Sequence, residues 1–139
     1  IMRTGIVLDE EGGALAKMIM PFRLGLGGPI GDGKQFMSWI HIDDMVKGIL
    51  HILEHQACVG PFNFTAPNPN TNGYFALKLA RRLDRPCLFR VPGFVLKALM
   101  GESSELVLYG QKVMPERLIA ANFNFAYPTL VDALDALDI

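Results

Sequence analysis

The chain has 139 residues, half of them hydrophobic, with 13 basic and 14 acidic side chains and a net charge of −1. That is enough for one domain with its own core, and too apolar for disorder. The balanced, interspersed charge excludes a basic face for nucleic acid, and no apolar run approaches the length of a membrane-spanning helix.

Met2 to Leu8 reads as a strand, ending in the buried run Ile6-Val7-Leu8. The chain opens inside that strand, so the front half of a larger protein is expected to be missing. The apolar excess fits this, because a piece cut from a larger core exposes surface meant to be covered. Ala14 to Leu24 places Leu15, Met18, Ile19 and Phe22 near the 3.6-residue period and predicts a helix, with Pro21 bending or ending it. A glycine-rich loop follows, then an extended aromatic segment from Phe36 to Ile42.

Asp43 is the predicted N-cap of a helix running to about His55, with Met45, Val46, Ile49, Leu50 and Leu53 as its apolar positions. Pro61 to Thr65 reads as a second strand, and Pro67 to Gly73 as a loop of turn residues. Phe75, Leu77, Leu79 and Leu83 predict a helix that stops before Pro86, and Cys87 to Val91 a third strand. Short helices are expected over Phe94–Met100, Ser104–Tyr109, Pro115–Ala121 and Leu130–Leu137. Pro115 suits a first turn, Asn122 the left-handed position after a helix, and Thr129 with Asp132 a capping box. Strand–helix alternation predicts an α/β fold with a parallel sheet.

The stretch GLGGPIGDGKQFMSWIHIDD, from Gly25 to Asp44, raises the question of a phosphate-binding loop. A dinucleotide fingerprint needs strand, G-x-G-x-x-G, then helix, whereas here a helix precedes the glycines and Ile30 stands where the third glycine belongs. Gly33-Lys34 lacks the serine or threonine of a P-loop. The glycines are therefore expected to serve tight turns and close backbone packing. Tyr74 and Lys78 match the spacing of a dehydrogenase acid–base pair, but read as surface side chains of an amphipathic helix. His41 is expected to be packed and hydrogen-bonded. His51 and His55 lack a third ligand, so no metal site is expected. Arg81, Arg82 and Arg85 read as a solvated helix end. Cys58 and Cys87 read as buried free thiols in a reducing cytoplasm.

The segment GDGKQFMSWIHIDD resembles the loop of extended short-chain dehydrogenases/reductases. Gly31, Gly33, Gln35, His41, Asp43 and Asp44 fall on its pattern. Together with RTGIVL, GPFNFTAPNP and GQKVMPERL, it makes the chain similar to one branch, the atypical epimerase-family proteins with a family-specific C-terminal tail. Some members carry a cell-division inhibitor label, which no residue here supports.

The resemblance implies the C-terminal portion of a Rossmann-type fold: a few parallel strands with flanking helices and a small, mostly helical tail. Residues 1–88 would hold the last strands and the substrate-lobe loop, and residues 89–139 the tail. It implies an NADP(H)-dependent epimerase or oxidoreductase of the nucleoside-diphosphate-sugar epimerase superfamily, with the glycine fingerprint and catalytic Tyr-x-x-x-Lys upstream. Thr4, Gly5 and Ile6 would lie nearest the cofactor. Gly33, Gln35, Met37 and Trp39 would wall the substrate cleft. No catalytic residue falls in this chain, which would be inactive alone and bind no cofactor tightly. The pattern departs at Met37, where relatives carry a diphosphate-gripping arginine, and at Ile6, where they carry asparagine. Both changes favour a less charged substrate. The expected partners are a small-molecule substrate and the missing N-terminal half, with self-association through the surface that half would cover. Neither nucleic acid nor membrane is expected. The alternative is a non-catalytic binding or regulatory module with a degenerate fold.

Overall fold

A computed structural model describes residues 2–11, 13–54, 62–87, 89–101 and 114–139. In chain order its elements are β1 (Met2–Thr4), β2 (Ile6–Leu8), α1 (Gly13–Arg23), β3 (Phe36–Met37), β4 (Trp39–His41) and α2 (Ile42–Glu54). There follow β5 (Phe62–Phe64), β6 (Asn70–Thr71), α3 (Asn72–Leu83), α4 (Gly93–Met100), α5 (Glu116–Ala120) and α6 (Leu130–Asp135). The fold is α/β with parallel pairing at its centre. β1 runs parallel to β5, with Thr4 opposite Phe64, and β2 parallel to β4, with Ile6 opposite Trp39.

The predicted first strand is thus divided at Gly5, its two halves pairing with different neighbours. Gly5 N–H donates to the Phe64 carbonyl and Ile6 N–H to the Ser38 carbonyl. A Cβ on residue 5 would overlap the Ser38 carbonyl, so only glycine admits this close crossing. β3 and β6 form a short antiparallel pair, Phe36 opposite Thr71.

Helix α1 buries the expected Leu15, Met18, Ile19 and Phe22. It continues past Pro21 to Arg23, because a proline withholds a single N–H and the end is closed independently. Gly25 N–H donates to the Phe22 carbonyl and Leu26 N–H to the Pro21 carbonyl, a Schellman ending. Helix α2 starts at Ile42, so Asp43 lies in its first turn and is not the N-cap. The cap comes from His41, whose Nδ1 accepts the Asp43 N–H at 3.0 Å. β4 runs directly into the helix, which leaves the imidazole at the capping position and Asp43 exposed beside it. The apolar positions of α2 divide between two faces: Met45, Ile49 and Ile52 pack inward, while Val46, Leu50 and Leu53 are exposed.

Helix α3 is capped by Thr71, whose Oγ1 accepts the Tyr74 N–H, and ends at Asp84 in the left-handed conformation. The expected strand over Cys87 to Val91 does not form among the described residues. Val91 alone bridges Ile30, its N–H donating to the Pro29 carbonyl and its carbonyl accepting the Gly31 N–H. Proline on each side, at positions 86 and 92, and Pro29 in the partner segment leave too few N–H groups for a longer ladder. The predicted helix at Ser104–Tyr109 lies outside the described residues, as do Cys58 and His55.

Two buried clusters form. The larger joins Ile6, Leu8, α1, Met37, Trp39 and α3 to Leu130, Ala133, Leu134 and Leu137 of the tail. The smaller unites Ile40, Phe64 and Leu118, with Met45, Ile49, Phe123 and Phe125 packed against it. Asn122 takes the left-handed conformation after α5, and Thr129 caps α6 by accepting the Asp132 N–H, both as expected. The tail is fastened by polar contacts. Asp44, fully buried, accepts the N–H groups of Ala126 and Tyr127 at 2.8 and 2.9 Å. Arg82 donates to the carbonyls of Leu134, Leu137 and Ile139, so this arginine is a docking side chain and not part of a solvated helix end. Asp138 N–H reaches Glu10 across 128 positions of sequence.

Candidate functional site

The glycine loop between α1 and β3 is held down by the start of α3. Asn72 is almost fully buried, and three of its groups act on the loop. Its Oδ1 accepts the Ile30 N–H at 2.7 Å, its backbone N–H donates to the Gln35 carbonyl at 2.7 Å, and its Nδ2 meets the Met37 sulfur at 3.1 Å. Asn70 accepts the indole N–H of Trp39 at 3.0 Å. Gln35 Nε2 donates back to the Ile30 carbonyl, and Gly73 N–H donates to the Gly33 carbonyl. Gly28 packs so tightly on the segment before α4 that a Cβ would overlap the Phe89 carbonyl.

This answers the question the glycines raise. The N–H groups of Gly25, Leu26, Ile30, Gly31, Gly33 and Lys34 all donate within the protein. A phosphate cradle needs such donors free and convergent. The loop is a packing device, with glycine where backbone meets backbone.

The structure brings Gly33, Gln35, Met37 and Trp39 together around Asn70 and Asn72. Met37 and Trp39 are core residues, at 0% and 1% exposure. Ile6 is buried opposite Trp39, and Gly5 lies against Ser38; Thr4 pairs with Phe64 one residue earlier. The N–H groups of Gly5 and Ile6 are both engaged in pairing, so neither is a free donor. Sequence reasoning passed over Asn70 and Asn72, reading them as turn residues. The available signal was an Asn-Thr-Asn run directly before a helical pattern, where an amide can cap or bridge.

His41 is buried, stacks on Tyr127 with ring centroids 4.2 Å apart, and lies 3.9 Å from the Asp43 carboxylate. Because Nδ1 accepts a backbone N–H, the neutral ring carries its proton on Nε2, which has no partner among the described residues. His51 Nε2–H donates to the Ala121 carbonyl at 2.6 Å, which docks it on the end of α5. Tyr74 is exposed with the Lys78 ammonium 5.3 Å from its ring, a surface pair. Among the described residues, no three His, Cys, Asp or Glu side chains could hold a metal ion, and no helix is long and apolar enough to cross a membrane. Cys87 is a free thiol whose pKa is pushed up by burial.

Parallel pairs flanked by helices, with a glycine loop leading into the strand before an Asp-Asp helix start, define a Rossmann-type epimerase architecture. Residues 8–64 match the NAD dependent epimerase/dehydratase family, and residues 91–137 match a domain of unknown function, DUF1731. Over these spans the chain is similar to members of the epimerase family. It is 44% identical over 135 residues to an epimerase family protein of Staphylococcus epidermidis, covering 97% of this chain and 45% of that protein. It is 46% identical over 137 residues to the chloroplastic epimerase family protein SDR39U1 homolog of Arabidopsis thaliana, covering 99% of this chain and 40% of that one. The chain therefore spans less than half the length of these relatives. The crystal structure of human epimerase family protein SDR39U1 with NADPH superimposes with a TM-score of 0.87 at 41% identity, over 96% of this chain and 46% of that one. A Thermus thermophilus UDP-glucose 4-epimerase complex with NAD, 14% identical with a TM-score of 0.68 over 96% of this chain and 43% of that one, shares the fold.

Proposed function

We propose that this chain is the substrate-side wall of an NADP(H)-dependent epimerase or oxidoreductase whose substrate is less charged than a nucleotide sugar, and that it has no turnover of its own. The carrying observation is Met37. Where the family pattern carries an arginine for a diphosphate, this chain has a fully buried thioether engaged by the Asn72 amide. A guanidinium could not occupy that space without losing its solvation unpaired. The NADPH in the human relative supports the cofactor assignment; Thr4, Gly5 and Ile6 would be its nearest neighbours in this chain.

The dinucleotide phosphates would be held by residues outside this chain, since the N–H groups of Gly25, Leu26, Ile30, Gly31, Gly33 and Lys34 in the glycine loop are already engaged. When bound, the cofactor supplies or takes a hydride. Gly33, Gln35, Met37 and Trp39 would set the shape and dryness of the cleft that orients the substrate. The partners are then a small molecule and the remainder of the protein, in a reducing compartment such as the cytoplasm, where the free Cys87 thiol persists.

The test uses this chain and a longer protein that contains it. NADPH is titrated into each, with and without UDP-glucose, and NADPH oxidation is followed by absorbance. The longer protein should bind NADPH, UDP-glucose should bind weakly or not at all, and the 139-residue chain should oxidise none. Tight UDP-glucose binding, or turnover by the chain alone, overturns the proposal. Failure of the longer protein to bind NADPH leaves the non-catalytic binding module in its place.

A further inference from the structure

A groove of about 220 Å³ runs between the end of α1, the first residues of the glycine loop and the start of α4. Met20, Leu24, Leu26, Val91 and Val95 line it, and among the described residues Arg90 is its one charged lining residue. Met20, Leu24 and Leu26 are each more than half exposed, a concentration of large apolar side chains that solvent alone does not favour.

The walls are fixed. The end of α1 is closed by Gly25 and Leu26, and Val91 is bonded on both sides to Pro29 and Gly31. Pro21 and Pro92 stiffen the two flanks. A pre-formed apolar trough of this size, below that of a drug-sized pocket, suits a short chain better than a fused ring system. Arg90 is exposed, and one N–H, on Nη1, donates to the Gly31 carbonyl at 3.0 Å. That bond orients the guanidinium and leaves its other donors without partners among the described residues. Among the described residues no carboxylate lines the groove, and Arg85 donates to the Arg23 carbonyl at the end of α1, adding positive charge nearby. Apolar walls with cationic surroundings complement an apolar chain ending in an anion.

We propose that this groove binds a small amphipathic monoanion, its unbranched apolar chain along Leu24, Leu26 and Val95 and its carboxylate on Arg90. The site shares none of Gly33, Gln35, Met37 and Trp39, so it stands apart from the cleft proposed above. Either assignment can fail without the other.

Octanoate is the probe, titrated into the chain with methyl resonances of Leu24, Leu26, Val91 and Val95 observed by NMR. These should shift saturably. Hexanoate should bind about 15-fold more weakly, from roughly fourfold per methylene removed. Arg90→Gln should weaken octanoate by up to about fivefold, the reach of one exposed charge pair, and leave octanol unchanged. Leu24→Glu, at an exposed position, should abolish octanoate binding with the urea midpoint unaltered. Equal affinity for octanoate and butyrate, equal affinity for octylamine, or no saturation overturns the proposal. So do two other results. Concentration-dependent self-association that shifts the same methyls assigns the groove to a second copy. Loss of octanoate binding in a longer protein containing this chain assigns it to the rest of that protein.

Discussion

Removing the Asp44 carboxylate should release the tail from α2. Its two oxygens accept the N–H groups of Ala126 and Tyr127 at 2.8 and 2.9 Å, and the side chain is fully buried. Hydrogen bonds to a charged group contribute about 1.5–3 kcal/mol each. The two N–H groups are only part-buried and can regain water when the carboxylate is gone. The low end therefore applies, and Asp44→Ala should lose about 3 kcal/mol. For a domain of this size that is roughly a 10 °C fall in Tm and a large fraction of total stability. Asp44→Asn keeps one acceptor and turns an amide N–H toward the other donor, so it should fall between wild type and alanine. Urea unfolding gives the energies, and native-state hydrogen exchange localises them. Protection should drop first at Ala126 and Tyr127, then at Ala133, while Ile19 and Leu79 keep theirs. The stacking of Tyr127 on His41 should loosen in parallel, visible as a shift of the imidazole resonances. A loss below about 1 kcal/mol, or unchanged exchange at Ala126 and Tyr127, refutes the reasoning.

Gly5→Ala drives a methyl into the Ser38 carbonyl at the strand crossing and should cost about 1–3 kcal/mol or more in urea unfolding. Met37→Arg places a guanidinium at a fully buried position and should lose about 3–5 kcal/mol without gaining affinity for UDP in calorimetry. Cys87, with its pKa raised by burial, should be alkylated by iodoacetamide with a pH midpoint above that of free cysteine, measured in a Cys58→Ser background. The sign for stability is the same: the unfolded thiol ionises first, so the contribution of Cys87 is lost as pH rises from the unfolded value through the folded one.

Local signals read true where a residue answers to its own neighbours. Leu15, Met18, Ile19 and Phe22 gave α1, and Asn122 and Thr129 their turns and caps. Readings failed where a distant partner decides. Asp43 is a sound N-cap candidate until the length of β4 hands the role to His41. Cys87 to Val91 has the composition of a strand, but Pro29 denies it a ladder. Val46, Leu50 and Leu53 follow the helical period as well as Met45 and Ile49, and nothing local says which face meets Phe64. The Asn-Thr-Asn run hinted at a bridging amide, but not at the partners of Asn72, because Ile30 and Met37 lie far back along the chain.

The reach of the tail back to the beginning has a consequence during synthesis. Leu8 and Leu15 are sealed by a cluster that includes Leu130, Ala133, Leu134 and Leu137, and Asp138 is tied to Glu10. A ribosome adding about 5–20 residues per second delivers those lids last. Until residue 137 emerges, β2 and α1 wait without the tail side chains that cover them in the folded chain. Docking of the tail closes a loop of 128 positions, a contact that topology makes slow to form.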